Sequence, residues 1–78
     1  MTSILGIMKR RQVVSSTLKS VGYDAATHTL EVELIQGDVF DYYEVPEDLY
    51  RTFMNTESRG SFYFANIRDA GFNFDKIK

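Results

Sequence analysis

Seventy-eight residues are enough for one compact domain, and a domain this small buries only about 60% of the surface its unfolded chain exposes, which argues against a large internal active-site cavity. There is no cysteine, so neither a disulfide nor a thiolate metal site is available, and stability must come from six Phe, five Tyr and the aliphatic residues, or from self-association. The 44% hydrophobic and 26% charged shares are those of an ordinary folded chain, and a pI near 5.2 argues against a general nucleic-acid coat, whose affinity comes from neutralising phosphates.

The net charge of −2 conceals a division along the chain. Residues 1–23 carry Lys9, Arg10, Arg11 and Lys19 and no acid, and residues 58–78 carry Arg59, Arg68, Lys76 and Lys78 against Asp69 and Asp75. Between them, Asp24 to Glu57 holds nine acids and a single base, Arg51, so a basic surface can arise only if the two ends meet. The opening MTSILGIMKRR places its charges after a short apolar run, the reverse of a secretory signal, and is too short to span a bilayer. The expectation is a cytoplasmic protein that does not engage a membrane, with a flexible arm over 1–12 and one domain over 13–78.

Val13 to Tyr23 interleaves polar and apolar residues as a half-buried strand does, and Asp24-Ala25-Ala26-Thr27 follows as a turn whose aspartate can bond backbone two residues on. His28 to Ile35 alternates strictly, with Leu30, Val32 and Leu34 on one face and Thr29, Glu31 and Glu33 on the other. Gln36-Gly37-Asp38 supplies the glycine of a tight hairpin, and Val39 to Glu44 reads as a third strand. Pro46 then suits the first turn of a helix running to Asn55, with Glu47 and Asp48 complementing the positive pole of its dipole. Leu49, Tyr50, Phe53 and Met54 form its apolar stripe, placed to cover the buried sheet face. Thr56 to Gly60 breaks that helix, and Ser61 to Arg68 suits a second, capped by Ser61, with Phe62 and Ile67 inward, Tyr63 either joining them or facing out, and a tail from Asp69 that packs back loosely. The fold class is therefore α+β: a three-stranded antiparallel β-meander with two short C-terminal helices packed on one face.

So laid out, the chain resembles the KTSC domain, a small family named for its place at the carboxyl end of some lysyl-tRNA synthetases and found also as free-standing bacterial and phage proteins. The resemblance runs over about residues 13–68 and rests on Ser15-Ser16, Gly22-Tyr23-Asp24, Leu30, Val32, Gly37, Phe40, Tyr42-Tyr43, Val45-Pro46, Ser58, Gly60, Phe62-Tyr63 and Ile67-Arg68, in that order. Phe64 departs from the family, which often has asparagine after its aromatic pair. The resemblance implies a free-standing copy of the domain, and through the synthetase neighbour an association with RNA.

The chain is poorly equipped for catalysis. His28 is the single histidine, and with no cysteine beside it a zinc site would rest on carboxylates and one imidazole. Ser15 and Ser16 lack an evident base and are better placed to bond backbone at a strand entrance. The acids of the middle are explained as solvating groups on exposed strand faces and at a helix start, and Ser58-Arg59-Gly60 lacks the lysine and preceding strand of a phosphate loop. No catalytic residue, metal ligand or cofactor is assigned. Arg68 reads first as a local ion pair and second as a phosphate contact. Tyr42 and Tyr43 point to opposite faces, so one enters the core while the other lies outside near Lys19, as a stacking platform or a dimer contact. The leading expectation is a non-enzymatic binding module for RNA or a nucleic-acid-associated protein, using Lys9, Arg10, Arg11, Lys19, Arg59 and Arg68 with Tyr43 or Tyr63. The alternative is a protein-interaction or homodimer module.

Overall fold

A computed structural model describes residues 10–78; Lys9 and the apolar residues of the arm, Ile4 to Met8, lie outside the described residues. The elements are strands β1 (Arg10–Gln12), β2 (Leu18–Asp24), β3 (Thr29–Leu34) and β4 (Val39–Tyr42), helices α1 (Glu47–Asn55) and α2 (Arg59–Tyr63), a π-helical turn (Phe64–Arg68), and β5 (Phe74–Lys76). The strands form one antiparallel sheet in the order β1-β2-β3-β4-β5. The α+β class and the meander are as expected, but the sheet has five strands where the sequence suggested three.

Both additional strands have physical reasons. The stretch expected as one strand, Val13 to Tyr23, is interrupted because Ser15 Oγ accepts the N–H groups of Thr17 (3.0 Å) and Leu18 (3.1 Å). That hydroxyl turn reverses the chain, so Arg10–Gln12, placed in the terminal arm by the sequence reading, runs back along β2 as an edge strand. At the other edge, the tail from Asp69 does not pack loosely: Phe74–Lys76 pairs with β4, Tyr42 opposite Phe74 and Phe40 opposite Lys76.

Alternation delivers the core. Val21, Leu30, Val32 and Tyr42 turn to one face of the sheet and are fully or almost fully buried with Leu18, Val45, Phe53, Tyr63 and Ile67; Leu34, Leu49, Tyr50 and Met54 pack around them half-buried. The turn at Asp24 forms as expected, its Oδ1 accepting Ala26 N–H at 3.0 Å, and Gly37 adopts φ 109° in the β3–β4 hairpin, a conformation side chains disfavour. The second helix begins two residues earlier than expected and ends as a wider turn, closed by Asp69 N–H to Phe64 O at 3.0 Å.

Tyr23 ties the sheet to the start of α1. Its ring stacks on Tyr50 at 4.5 Å and its hydroxyl donates to the Val45 carbonyl at 2.6 Å, one residue before Pro46. Tyr23→Phe keeps the stack and loses the bond, so urea unfolding is expected to show a loss of about 1 kcal/mol, in the range for one intramolecular hydrogen bond. An unchanged midpoint would mean that this bond does not help to hold the helix entry.

Candidate functional site

The outer sheet face is acidic. Register aligns Glu31 of β3, Asp41 of β4 and Asp75 of β5 side by side across three neighbouring strands. Arg10, reaching over from β1, lies 3.2 Å from Glu31 and 4.0 Å from Glu33, and Ser20 donates to Glu33 at 2.8 Å. The Ser20 bond, then the charges of Arg10, Lys19 and Lys78, hold the Glu33 carboxyl below its ordinary range. Asp41 goes the other way: burial, followed by a hydrogen bond with Glu31 and the charges of Glu31 and Asp75, pushes it up to about 7. Its Oδ1 is buried and has no donor, as a carboxyl that keeps its proton near neutrality allows.

This arrangement scatters the residues expected to bind nucleic acid. Arg10 is committed to Glu31 and Glu33. Tyr43 donates its hydroxyl to Asp75 at 2.8 Å, a bond that pushes its own pKa up to about 12. Lys19 does not stand beside it, because β3 separates β2 from β4 and Lys19 lies at the Leu34 end of that strand, whereas Tyr43 follows Tyr42, which pairs with Leu30. Tyr63 cannot serve as a stacking platform: it is only 1% exposed, in the core, its hydroxyl 2.6 Å from that of Tyr42. Arg11 is exposed on β1. Arg68 forms the expected ion pair, with its neighbour Asp69 (Nε to Oδ1, 3.0 Å), and its Cζ stands over the Phe64 ring, 4.3 Å from the centroid.

What the fold does bring together is a pair of hydroxyl-bearing segments. The β1–β2 loop and the start of α2 enclose an open recess of about 320 Å³, lined by Ser15, Ser16, Thr17, Ser58, Arg59 and Ser61. Gly60 permits the approach: a Cβ there would stand 3.1 Å from Thr17 Oγ1. Arg59 Nη2 donates to the Met54 carbonyl at 2.6 Å, fixing the guanidinium on the recess wall, and Glu57 contributes one carboxylate to the same lining. Five hydroxyls and a guanidinium make a donor-rich surface suited to oxygen acceptors. Phe64 lines this recess and also a second, more apolar groove of about 350 Å³ on the side of β4 and β5. Arg59 and Arg68 thus share Phe64, each lining one of the two cavities beside it, whereas Arg10 and Lys19 meet instead around Glu33.

Sequence reasoning missed Thr17, Ser58, Ser61 and Phe64 as surface-forming residues. The available signal was two hydroxyl-rich tracts, Ser15-Ser16-Thr17 and Ser58-Arg59-Gly60-Ser61, distant in sequence. His28 is exposed at φ 56° in its turn, and among the described residues no three His, Asp or Glu side chains are placed to share a metal ion. Among those residues, no helix is long and apolar enough to cross a membrane.

Known proteins resemble this chain in sequence and in fold. The chain is 38% identical over 53 residues to an uncharacterised protein from Stutzerimonas stutzeri, a match covering 68% of this chain and 75% of that protein. It is 36% identical over 50 residues to a protein from Tsukamurella paurometabola, covering 64% of this chain and 75% of that one. The crystal structure of a KTSC domain protein from Yersinia pestis superposes with a TM-score of 0.83 at 36% identity, over 91% of this chain and 99% of that one. The KTSC domain model matches residues 14–72, a span that runs from the loop of the recess through the sheet and helices and stops short of β5. The match of the family model over residues 14–72 and the superposition on a KTSC domain protein together show that this chain belongs to the KTSC domain family.

Proposed function

We propose that the domain is a non-enzymatic binding module whose hydroxyl-lined recess takes the phosphate backbone of single-stranded RNA. The observation that carries this reading is the convergence of Ser15, Ser16, Thr17, Ser58 and Ser61 around Arg59, with Phe64 beside them as a ring on which a base can stack. The placement of some relatives at the end of lysyl-tRNA synthetases supports RNA as the polymer. Ser15 is a poor candidate for turnover, since its Oγ already accepts two backbone N–H groups.

Anisotropy with labelled tRNA and with short single strands tests the reading. Binding should weaken as salt rises, and replacing Arg59 or Arg68 by Gln should reduce the slope of log K against log salt by roughly 0.7 per arginine, the single-strand value. Absence of salt-dependent binding, or slopes unchanged in both variants, would remove RNA from consideration. A second reading, a protein-interaction or self-association module, is favoured by Phe74 (54% exposed) and Ile77 (53% exposed) beside the open edge of β5. Sedimentation that detects a dimer, lost on Phe74→Ala, would select it.

A further inference from the structure

The groove on the far side of Phe64 has a construction that neither the sheet nor the helices require. Ring centroids step from Phe74 to Tyr42 (5.6 Å), from Tyr42 to Tyr63 (6.0 Å) and from Tyr63 to Phe64 (5.4 Å). The middle two are buried and the outer two are partly or largely exposed, so the tyrosines form a floor and Phe74 and Phe64 the two walls. Phe40 packs edge-on against Phe74 at 6.0 Å and steadies that wall, and Arg68 lies over the other.

The floor is polar at one point. The Tyr42 and Tyr63 hydroxyls stand 2.6 Å apart, and a pair with two protons uses one in the bond between them, leaving one O–H free to donate. Arg68 gives Nε (3.0 Å) and Nη2 (3.3 Å) to Asp69 and leaves its remaining nitrogen, Nη1, for an occupant. Its charge reaches both hydroxyls, opposing the burial that raises their pKa values, and the Asp69 charge acts against it there. Asp38 also lines the groove, but its carboxylate is occupied by Gln36 Nε2 (2.7 Å) and Lys76 Nζ (3.5 Å). Aromatic walls with donors at floor and rim call for an occupant that is flat and carries an acceptor on its edge.

We propose that this groove is a binding slot for a small aromatic carboxylate, its ring between Phe64 and Phe74 and its acid group turned toward Arg68 and the Tyr42–Tyr63 hydroxyls. The slot differs from the phosphate recess, sharing with it Phe64 alone. It stands whether or not the chain binds RNA, since its occupant is tested with no polymer present.

The experiment is an NMR titration of the full chain with benzoate, with cyclohexanecarboxylate and benzylamine as controls. Benzoate should shift resonances of Phe64, Arg68 and Phe74 with a dissociation constant of roughly 1–10 mM, the range open to so few atoms. The acid without an aromatic ring and the aromatic ring without an acid should each bind at least about fivefold more weakly. Phe74→Ala should weaken benzoate roughly tenfold and Arg68→Gln by a similar factor, with the dispersion of the remaining amide spectrum retained because both side chains are half exposed. No shift up to about 20 mM benzoate, about twice the weak end of that range and enough for roughly two-thirds occupancy there, overturns the proposal. So does equal binding of either control, or a response centred on other residues.

Discussion

Phe53→Ala is expected to leave the chain largely unfolded at 25 °C. Phe53 is fully buried where α1 meets the second helix, its ring stacked near Phe62 at 5.7 Å and Tyr63 at 6.4 Å. Truncating a buried phenylalanine costs about 3–5 kcal/mol, through lost transfer energy and the cavity left behind. A single core in a chain of this length supplies about the same amount in total, and there is no disulfide to add to it. Phe53→Leu, which keeps most of the volume and none of the ring contacts, should cost far less and remain folded. Far-ultraviolet circular dichroism and amide dispersion distinguish the outcomes. A folded alanine variant melting within about 5 °C of the parent would show that the helix layer adds little to the sheet, since roughly 4–8 °C corresponds to 1 kcal/mol in so small a domain.

The second large effect is one of pH. In the folded protein Asp41 titrates at about 7 against an ordinary 3.8, so between those values the native state binds more protons than the unfolded state. Stability must then fall as pH rises through that window and level off above it. The groups facing Asp41 are Glu31 on one strand and Asp75 on the other, with Arg10 held on Glu31 and the Tyr43 hydroxyl on Asp75. The full shift corresponds to about 4 kcal/mol, and partial exposure of the carboxyl reduces the expected loss between pH 5 and pH 8 to about 2 kcal/mol. Asp41→Asn should flatten this dependence and stabilise the protein at pH 8 by a similar amount, because the amide carries no charge into the row of acids. Urea midpoints that rise steadily from pH 5 to 8 in the parent chain, or that fall as steeply in the variant, would contradict it.

The central strands and α1 were legible because burial writes a period into them. Leu30 and Val32 alternate with Glu31 and Glu33, and α1 turns Phe53 into the core with Leu49 and Tyr50 packed beside it. The edge strands were not legible, for the converse reason: no residue of Arg10–Gln12 or Phe74–Lys76 is buried, so no inside–outside alternation marks them, and side-chain contacts such as Arg10 with Glu31 and Phe74 with Tyr42 follow from the pairing instead of announcing it. The candidate site was legible in its parts and not in its assembly. Ser15 does bond backbone and Arg68 does form an ion pair. Yet Arg10 met acids on the outer face, a consequence of strand order, and Tyr63 went wholly into the core with its hydroxyl on that of Tyr42, leaving nothing for a partner to stack on.

That strand order also bears on how the chain folds. Each of the first four strands lies beside its immediate predecessor, so every hairpin among them closes a short loop at little entropic expense and can act as a starting point. The pairing of β4 with β5 spans both helices and is the one long-range closure in the sheet. The carboxyl-terminal edge is therefore expected to be the last part of the sheet to zip up.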